Sequence, residues 1–439
     1  MSILSDAREL SHEEAKALRK ASTASFIGNF VEWFDYASYG YLAVVIGTVF
    51  FPSEDKTIEL LSTYAVFAVS FILRPIGGII WGALGDKLGR RFALAWSILI
   101  MSGATFLLGC LPSYAAAGVA APILLIIIRM VQGFSASGEY AGAATFLSEY
   151  APSKNRGFYT SLVPASTATG LLLGSLLVAL LTWGLTPDDL ATWGWRIPFL
   201  LAGPLGLVGR YVRLHLEDSP VYTEMLEKLE KKNEEVPSPI KELFKNHKKK
   251  FFIALGVASL NAVGFYIVLS YMPVYLATER GVAQANSLLA ATVSTVVYIL
   301  SIFVMGHLSD IIGRRKMLII ASLLFIFLSI PLFMMLDANH IGLILLVQMI
   351  FGVMLTTNDG TLATFLSELF PTSIRYTGFA FSFNTANALF GGTAPFISTW
   401  MINTTGSVYA PAVLLSIAGV VALVAMLASK ETAFRELQH

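Results

Sequence analysis

Twelve runs of predominantly apolar residues constrain this chain more than any other feature. They fall near 22–50, 60–84, 92–111, 121–147, 157–183 and 196–214, then, after a polar stretch, near 251–277, 286–308, 316–336, 341–366, 377–402 and 408–428. Each approaches or exceeds the roughly 20 residues a helix needs to cross a bilayer. Lipid offers no partner for backbone N–H and C=O groups, so such runs must satisfy them internally, as helices. The expected fold class is an all-α membrane protein with twelve transmembrane helices. Composition agrees: 55% of the 439 residues are hydrophobic and only 13% are charged, which is more apolar than a soluble core requires. With a net charge of +1 and no basic stripe, no nucleic-acid partner is expected. Cys110 is the only cysteine, which excludes disulfides and cysteine metal sites; it reads as a small hydrophobe in an apolar run. The chain is polar through Lys20, so no cleavable signal peptide is expected before the first span.

Lysine and arginine set the expected orientation. Of the 30, 25 fall on the face that would hold both termini, including the run from Arg210 to Lys250, and two, Lys56 and Arg280, fall on the other. Arg74, Arg129 and Arg196 lie within spans or at their edge. The positive-inside rule then places both termini in the cytoplasm. The expected organisation is a cytoplasmic tail (1–20), a six-helix bundle (21–216), a cytoplasmic linker (217–250), a second six-helix bundle (251–428) and a short tail (429–439). Glu224 to Glu235 reads as a solvated helix ended by Pro237 and Pro239.

The two halves repeat. Ala-Thr-Phe-Leu-Ser-Glu-x-x-Pro occurs at 144–152 and at 363–371, an offset of 219 that also relates Gly133 to Gly352 and Arg156 to Arg375. Gly82-x-x-x-Asp86-x-x-Gly89-Arg90-Arg91 recurs as Gly306-x-x-x-Asp310-x-x-Gly313-Arg314-Arg315. Six spans per half make the repeats parallel, an architecture that carries a substrate site at midplane between the halves. Within the repeated loops, glycines permit close helix approach and Asp–Arg groups supply charge-assisted bonds. With Glu149, Arg156, Glu368 and Arg375 they form a candidate cytoplasmic gate that holds in one state and breaks in the other; plain loop anchoring is the alternative.

These loops resemble the signature of the major facilitator superfamily, and Arg129-x-x-Gln132-Gly133 resembles its fourth-helix motif. Gly28-Asn29 with Glu32-Trp33-Phe34-Asp35, Arg74-Pro75-Ile76-Gly77-Gly78, Gly138-Glu139-Tyr140 and Trp193 to Phe199 are similar to its metabolite:H+ symporter family. Ser137 departs from that pattern, which usually has a second glycine before Gly138. The resemblance covers nearly the whole chain. It implies two parallel six-helix bundles and a multi-pass protein of a bacterial cytoplasmic membrane, working as a monomer with the proton as coupling ion and no other cofactor. It also implies a small-molecule substrate: proline or betaine, or a carboxylate such as α-ketoglutarate, citrate or shikimate.

Charges inside the spans are the candidate machinery, because an intramembrane ionisable residue is costly and usually functional. Glu32 and Asp35 lie at i and i+3 in the first apolar run, with Asn29, Tyr36 and Tyr39 beside them, and Arg74 and Glu139 lie at similar depth. Burial and a neighbouring cation pull a carboxyl pKa in opposite directions, and an acid balanced between them takes a proton on one side and releases it on the other. Glu32, Asp35 and Glu139 are therefore the candidate proton-coupling acids, with Arg74 as counter-charge or anchor for a substrate carboxylate. Arg129, some ten residues before Glu139, has two readings: structural, through backbone carbonyls, or part of the coupling. At the offset of 219, Glu139 maps to Asn358, followed by Asp359; Tyr266, Tyr271 and Asn384 complete the candidate second wall of a cavity with Asn29 and Tyr36.

Ser270-Tyr271-Met272-Pro273-Val274-Tyr275-Leu276 resembles the proline/betaine branch, so the expected function is proton-coupled import of a small zwitterion, with a carboxylate:H+ symporter as the alternative. No heptads follow the last span up to His439, which gives no support to an osmosensing coiled coil. An ATP-driven pump would need a Gly-x-x-x-x-Gly-Lys-Ser/Thr loop and a membrane enzyme a nucleophile–base or metal set. Neither pattern occurs, so no enzyme activity is expected. A non-transporting sensor would bind without flux.

Overall fold

The computed structural model describes residues 11–54, 56–233, 238–338 and 340–437. Residues 1–10 of the expected tail, Glu235 and Pro237 of the linker, and the last two residues lie outside it. Twelve helical segments cross the bundle. Span one is His12–Tyr41, two is Lys56–Ile72 with Arg74–Leu88, three is Arg90–Cys110, four is Ala120–Tyr150, five is Arg156–Gly184 and six is Gly194–Leu214. Seven is Lys248–Thr278, eight is Gln284–Ile312, nine is Arg314–Ala338, ten is Ile341–Leu369, eleven is Arg375–Ala386 with Ala394–Thr405, and twelve is Ala410–Leu427.

Among the described residues, nine helices are long and apolar enough to cross a membrane. Spans one, two and eleven fall short for identifiable reasons. Span one carries Asn29, Glu32 and Asp35 in its middle, while two and eleven are each divided. The divisions have a common cause. Pro75, Pro273 and Pro395 lack an N–H, so the carbonyl four residues earlier loses its partner and the helix loosens just before each proline. Span two breaks at Leu73, and spans seven and eleven widen into π-helical turns at Tyr266–Tyr271 and Asn387–Gly391.

Span one begins earlier than its apolar run, inside the stretch expected to be tail. Ser11 and Glu14 form a capping box there, with the Ser11 N–H donating to Glu14 Oε2 at 2.8 Å and the Glu14 N–H to Ser11 Oγ at 3.2 Å. The linker also differs from expectation. It holds two helices, Pro220–Lys231 and Pro239–Asn246, so Pro239 opens a helix instead of closing one, as proline does when its missing N–H falls in a first turn.

In the first half span one lies along span five and span three along span six; in the second, eight lies along ten and nine along twelve. Span two against span eleven, and span five against span eight, join the halves. Large apolar side chains such as Ile72, Leu300, Phe327 and Phe396 face outward, while serine, threonine, asparagine and charged side chains are buried within. That distribution suits lipid outside and a polar interior. The end holding the two repeated loops is called the motif end below.

Candidate functional site

Three polar residues of span one reach three different neighbours. Asn29 donates through Nδ2 to Val163 O (2.9 Å), Ser166 Oγ (2.9 Å) and Thr167 Oγ1 (2.7 Å), binding span one to span five. Its donors thus act as interhelical glue, while its Oδ1 is buried without a hydrogen-bond partner among the described residues. Glu32 Oε1 accepts from Arg74 Nη2 at 2.9 Å, and Asp35 Oδ2 accepts from Arg129 Nη1 at 2.8 Å. All of these groups are buried.

Arg74 stands at the break in span two, and its guanidinium carbon lies 5.0 Å from the centre of the Tyr36 ring and 4.9 Å from that of Phe71. Phe71 meets Tyr266 of span seven edge-on at 5.7 Å, and Trp33 packs on Phe265 at 5.1 Å, so this cluster spans the interface between the halves. Glu32 Oε2, Trp33 Nε1, Arg74 Nε and Tyr266 Oη are buried without a hydrogen-bond partner among the described residues. Unpaired buried polar atoms are costly, and several converging on one interface mark a place where polar groups of another molecule would be accommodated.

The Asp35 site is better satisfied. Gln132 donates to Asp35 Oδ1 (3.1 Å) and to Thr105 Oγ1 (2.7 Å) and accepts from Arg129 (2.9 Å), while Arg129 lies over the Tyr39 ring at 4.2 Å. Arg129, which had two readings from the sequence, holds the acid of span one. The pair also corrects the expected depth, because it sets Asp35 level with Arg129, ten residues before Glu139 on span four, and not level with Glu139. Past the break at Leu42 the run continues as a short helix, Ala43–Phe50.

Glu139 pairs with neither span-one acid. Its partner is Arg213 of span six, which donates Nη1 to Oε2 at 2.9 Å and Nη2 to Oε1; Ser97 Oγ adds a bond to Oε2 at 3.2 Å. Arg213 also donates to Leu94 O (2.6 Å) and Ala24 O (3.2 Å). Counted with the exposed linker charges, Arg213 is in fact a buried structural cation. Gly28 makes room for it, since a Cβ there would stand 2.7 Å from Arg213 Cζ. The Gly28-Asn29 pair is explained by packing on both sides.

In the second half Asp359 accepts from Asn261 Nδ2 and Tyr298 Oη, both at 2.7 Å, while both amide atoms of Asn358 lack a partner among the described residues. Asn384 donates to Ser137 O and Ala380 O, each at 2.7 Å, and so ties span eleven to span four. Tyr271 bonds Thr399 Oγ1 at 2.9 Å. Neither joins the Arg74 cluster; Tyr266 does.

At the motif end the gate residues cross between halves in mirrored fashion. Asp86 accepts from Tyr376 N (3.2 Å), Thr377 N (2.9 Å) and Thr377 Oγ1 (2.7 Å), capping span eleven; Asp310 accepts from Gly157 N (2.8 Å) and Phe158 N (3.0 Å), capping span five. Arg90 and Arg314 pair with these acids at 3.0 and 2.7 Å. Glu149 holds Arg90 at 3.2 Å and Arg375 at 2.6 Å; Glu368 holds Arg314 at 3.3 Å and Arg156 at 2.9 Å. An added Cβ would stand 2.5 Å from Thr377 Cα at Gly82 and 2.6 Å from Gly157 O at Gly306, so these glycines sit where the halves touch.

Arg91 and Arg315 depart from the gate expectation. They donate to Leu216 O (2.8 Å) and Met426 O (3.0 Å), at the ends of spans six and twelve in their own halves. The turns they follow, with Gly89 at φ +101 and Gly313 at φ +105, need glycine. Each turn is capped by an acid that the sequence reading missed: Asp218 Oδ1 accepts from Arg91 N, and Glu431 Oε1 from Arg314 N, both at 2.9 Å. Partial burial beside the turn raises the Asp218 carboxyl pKa above its ordinary value. Glu217-Asp218 and Glu431, just beyond spans six and twelve, were the available signal.

Breaking the Glu139–Arg213 pair from one side leaves a buried charge without its partner. Glu139→Gln is expected to destabilise the protein by about 3–5 kcal/mol, and Glu139→Gln with Arg213→Met to recover most of it, read as detergent melting temperatures. Asp310→Ala removes two caps between halves. In a protein labelled at Lys87→Cys and Lys430→Cys with Cys110→Ala, it is expected to shift the spin-label distance distribution toward a motif-end-open population. A shift of about 1–3 kcal/mol is anticipated for the lost acceptor.

A family model for sugar (and other) transporters matches residues 20–238 and 222–439. The chain is 39% identical over 426 residues to a glycine betaine/proline/ectoine/pipecolic acid transporter of Dickeya dadantii, covering 96% of this chain and 85% of that one. It is 38% identical, with the same coverage, to a proline/betaine transporter of Escherichia coli K12. Among solved structures, a proton:xylose symporter of the major facilitator superfamily bound to 6-bromo-6-deoxy-D-glucose superposes with TM-score 0.78 at 18% identity, covering 97% of this chain and 98% of that one. The inward-open xylose transporter of Escherichia coli gives 0.63 at 18% identity, covering 94% and 97%. The chain is a transporter, with the major facilitator fold, that belongs to the sugar (and other) transporter family.

Proposed function

We propose that this chain is a proton-coupled symporter that imports a small zwitterion of the proline or glycine betaine kind by alternating access. The observation that carries the reading is Arg74, buried at the interface between aromatic rings and paired with a Glu32 whose second oxygen has no partner. An arginine fork binds a carboxylate well, and the faces of Trp33, Tyr36, Phe71, Phe265 and Tyr266 suit a quaternary or secondary ammonium. A second carboxylate would meet Glu32 instead, so the rings favour a zwitterion over a di- or tricarboxylate. The names of the relatives from Dickeya dadantii and Escherichia coli support the same class.

Coupling follows from competition for one cation. A proton on Glu32 releases Arg74, and the substrate carboxylate takes the vacated fork. When the substrate leaves on the other side, Glu32 gives up its proton and recaptures Arg74. An Arg74 with no anion at all would cost about 3–5 kcal/mol, so the halves rock only when either Glu32 or the substrate occupies it. A neutral zwitterion moving with protons carries a net positive charge, so an inside-negative potential adds to the driving force. Asp35 with Arg129 and Glu139 with Arg213 tune this site from inside the first half. The motif-end network closes the cytoplasmic side, an orientation supported by the 25-to-two distribution of lysine and arginine. The protein would work as a monomer in a bacterial cytoplasmic membrane, with no cofactor beyond the proton.

In proteoliposomes, labelled glycine betaine and proline are expected to accumulate when an inward proton gradient is imposed, and α-ketoglutarate and citrate are not. Arg74→Gln should abolish uptake and counterflow together. Glu32→Gln should lower gradient-driven accumulation about tenfold relative to its own counterflow, the equivalent of losing roughly 1.4 kcal/mol of coupling. Equal loss of both activities in Glu32→Gln would show that Glu32 only shapes the site, and counterflow of the dicarboxylate would move the substrate class.

A further inference from the structure

Counting buried charges leaves one acid over. The buried arginines are Arg74, Arg90, Arg129, Arg156, Arg213, Arg314 and Arg375. The buried acids they face are Glu32, Asp35, Asp86, Glu139, Glu149, Asp310 and Glu368, each within ion-pair distance of at least one of them. Asp359 is the remaining buried acid. Its hydrogen-bond partners are both neutral, the Asn261 amide from span seven and the Tyr298 hydroxyl from span eight. A third neighbour, Tyr140 of span four, lies within electrostatic reach from the other half. Among the described residues these two tyrosines are the titratable groups facing it, and no arginine, lysine or histidine forms an ion pair with it.

The position of Asp359 follows from the repeat. Residues 140 and 359 are related by the offset of 219 that relates the Ala-Thr-Phe-Leu-Ser-Glu segments. Two residues related by the pseudo-two-fold axis can approach each other only close to that axis. Asp359 therefore lies near the centre of the molecule, on the line along which the halves separate. Tyr140, its repeat-related counterpart in the first half, is held by stacking on Phe383 of span eleven at 4.5 Å with the rings 5° from parallel. The distance from the Arg74 cluster is also bounded. Asn261, which holds Asp359, and Tyr266, which belongs to that cluster, are five residues apart on span seven, a rise of about 7.5 Å.

We propose that Asp359 is a second proton-binding site, in the second half, that holds its proton while the halves enclose it and gives it up when they part at the motif end. This rests on the reading of the protein as a proton symporter. A charged carboxylate with only neutral donors in a water-excluded interior is far costlier than the neutral acid. As the acid, Asp359 donates its proton to Tyr298 Oη and still accepts from Asn261, so both contacts survive protonation. Parting of the halves at the motif end admits water, which solvates the carboxylate and takes the proton. When that end has reclosed and water reaches the site from the opposite side, the acid takes a proton from that water before it is enclosed again. A fixed substrate-ammonium anchor, the role expected from sequence, would instead keep the acid charged.

The test uses the full-length protein in lipid. Infrared spectra at neutral pH are expected to contain the carbonyl stretch of a protonated carboxylic acid, to lose it in Asp359→Asn, and to keep it in Glu32→Gln. In proteoliposomes, Asp359→Asn should carry fewer protons per glycine betaine than the wild type and lower gradient-driven accumulation about tenfold relative to its own counterflow. Asp359→Glu, which restores an acid, should recover part of both. A carboxylic-acid band unchanged in Asp359→Asn, or an unchanged proton-to-substrate ratio, would overturn the proposal. If the wild type shows no proton-driven uptake, the symporter reading fails, while the infrared comparison still reports whether Asp359 holds a proton.

Discussion

A charge inside the bundle must carry its counter-charge with it, because a lone ion in a low-dielectric interior costs several kcal/mol. The placement of the pairs therefore decides which parts of this protein can move. Glu32–Arg74, Asp35–Arg129 and Glu139–Arg213 lie wholly within the first half, between spans one and two, one and four, and four and six. They move with that half as it rocks and fix its helices to one another. The pairs that must break on opening are Glu149–Arg375 and Glu368–Arg156, at the motif end. Even there neither glutamate is abandoned, because Glu149 keeps Arg90 and Glu368 keeps Arg314 from its own half. The released arginines emerge at the end of the bundle where water can take them. The gate is thus reversible: it trades charge-assisted bonds for hydration without stranding an ion.

The halves are built from one repeat and have diverged in what they bury. At the offset of 219 Arg129 corresponds to Gln348 and Glu139 to Asn358, and these two amides are without partners among the described residues. The second half has lost charge where the first retains it, and has gained helix irregularity: two of the three proline-associated breaks lie in spans seven and eleven. Loosened helices bend more readily than regular ones. One half is cross-braced by ion pairs, and the other brings pliable segments to the shared interface. Such a division of labour suits a carrier whose site must be held from one side and closed over from the other.

Much of this was legible in the sequence, and the omissions have physical causes. The twelve spans and the repeat follow from run length and spacing, and the cross-half gate acids from the repeated loops, because those signals are local. Partner choice is not local. Arg213 follows Arg210 at the edge of a basic linker, where nothing in one dimension separates a buried cation from a solvated one. Asn29 looked like a ligand because it adjoins two acids, yet its amide N–H groups are engaged by span five. Asp35 was placed level with Glu139 because a position within an apolar run does not report which level of a neighbouring helix it meets, and it meets Arg129 instead. Hydropathy reports what lipid tolerates and says little about how neighbouring helices are aligned.

The geometry of span one explains why these residues could not share a single role. On an α-helix a step of three residues turns the side chain by about 60° and advances it about 4.5 Å. Asn29, Glu32 and Asp35 therefore wind round the helix while climbing it, and each meets a different wall: span five, span two and span four in turn. Asn29 satisfies its donors and Asp35 both its oxygens. Among the described residues Asn29 Oδ1 and Glu32 Oε2 are both left without a partner, but only Glu32, in the middle of the three, is an acid with an unspent oxygen beside the Arg74 cluster at the interface between halves. The stagger that makes span one the axle of its bundle also singles out Glu32, the acid best placed to exchange its partner for a substrate.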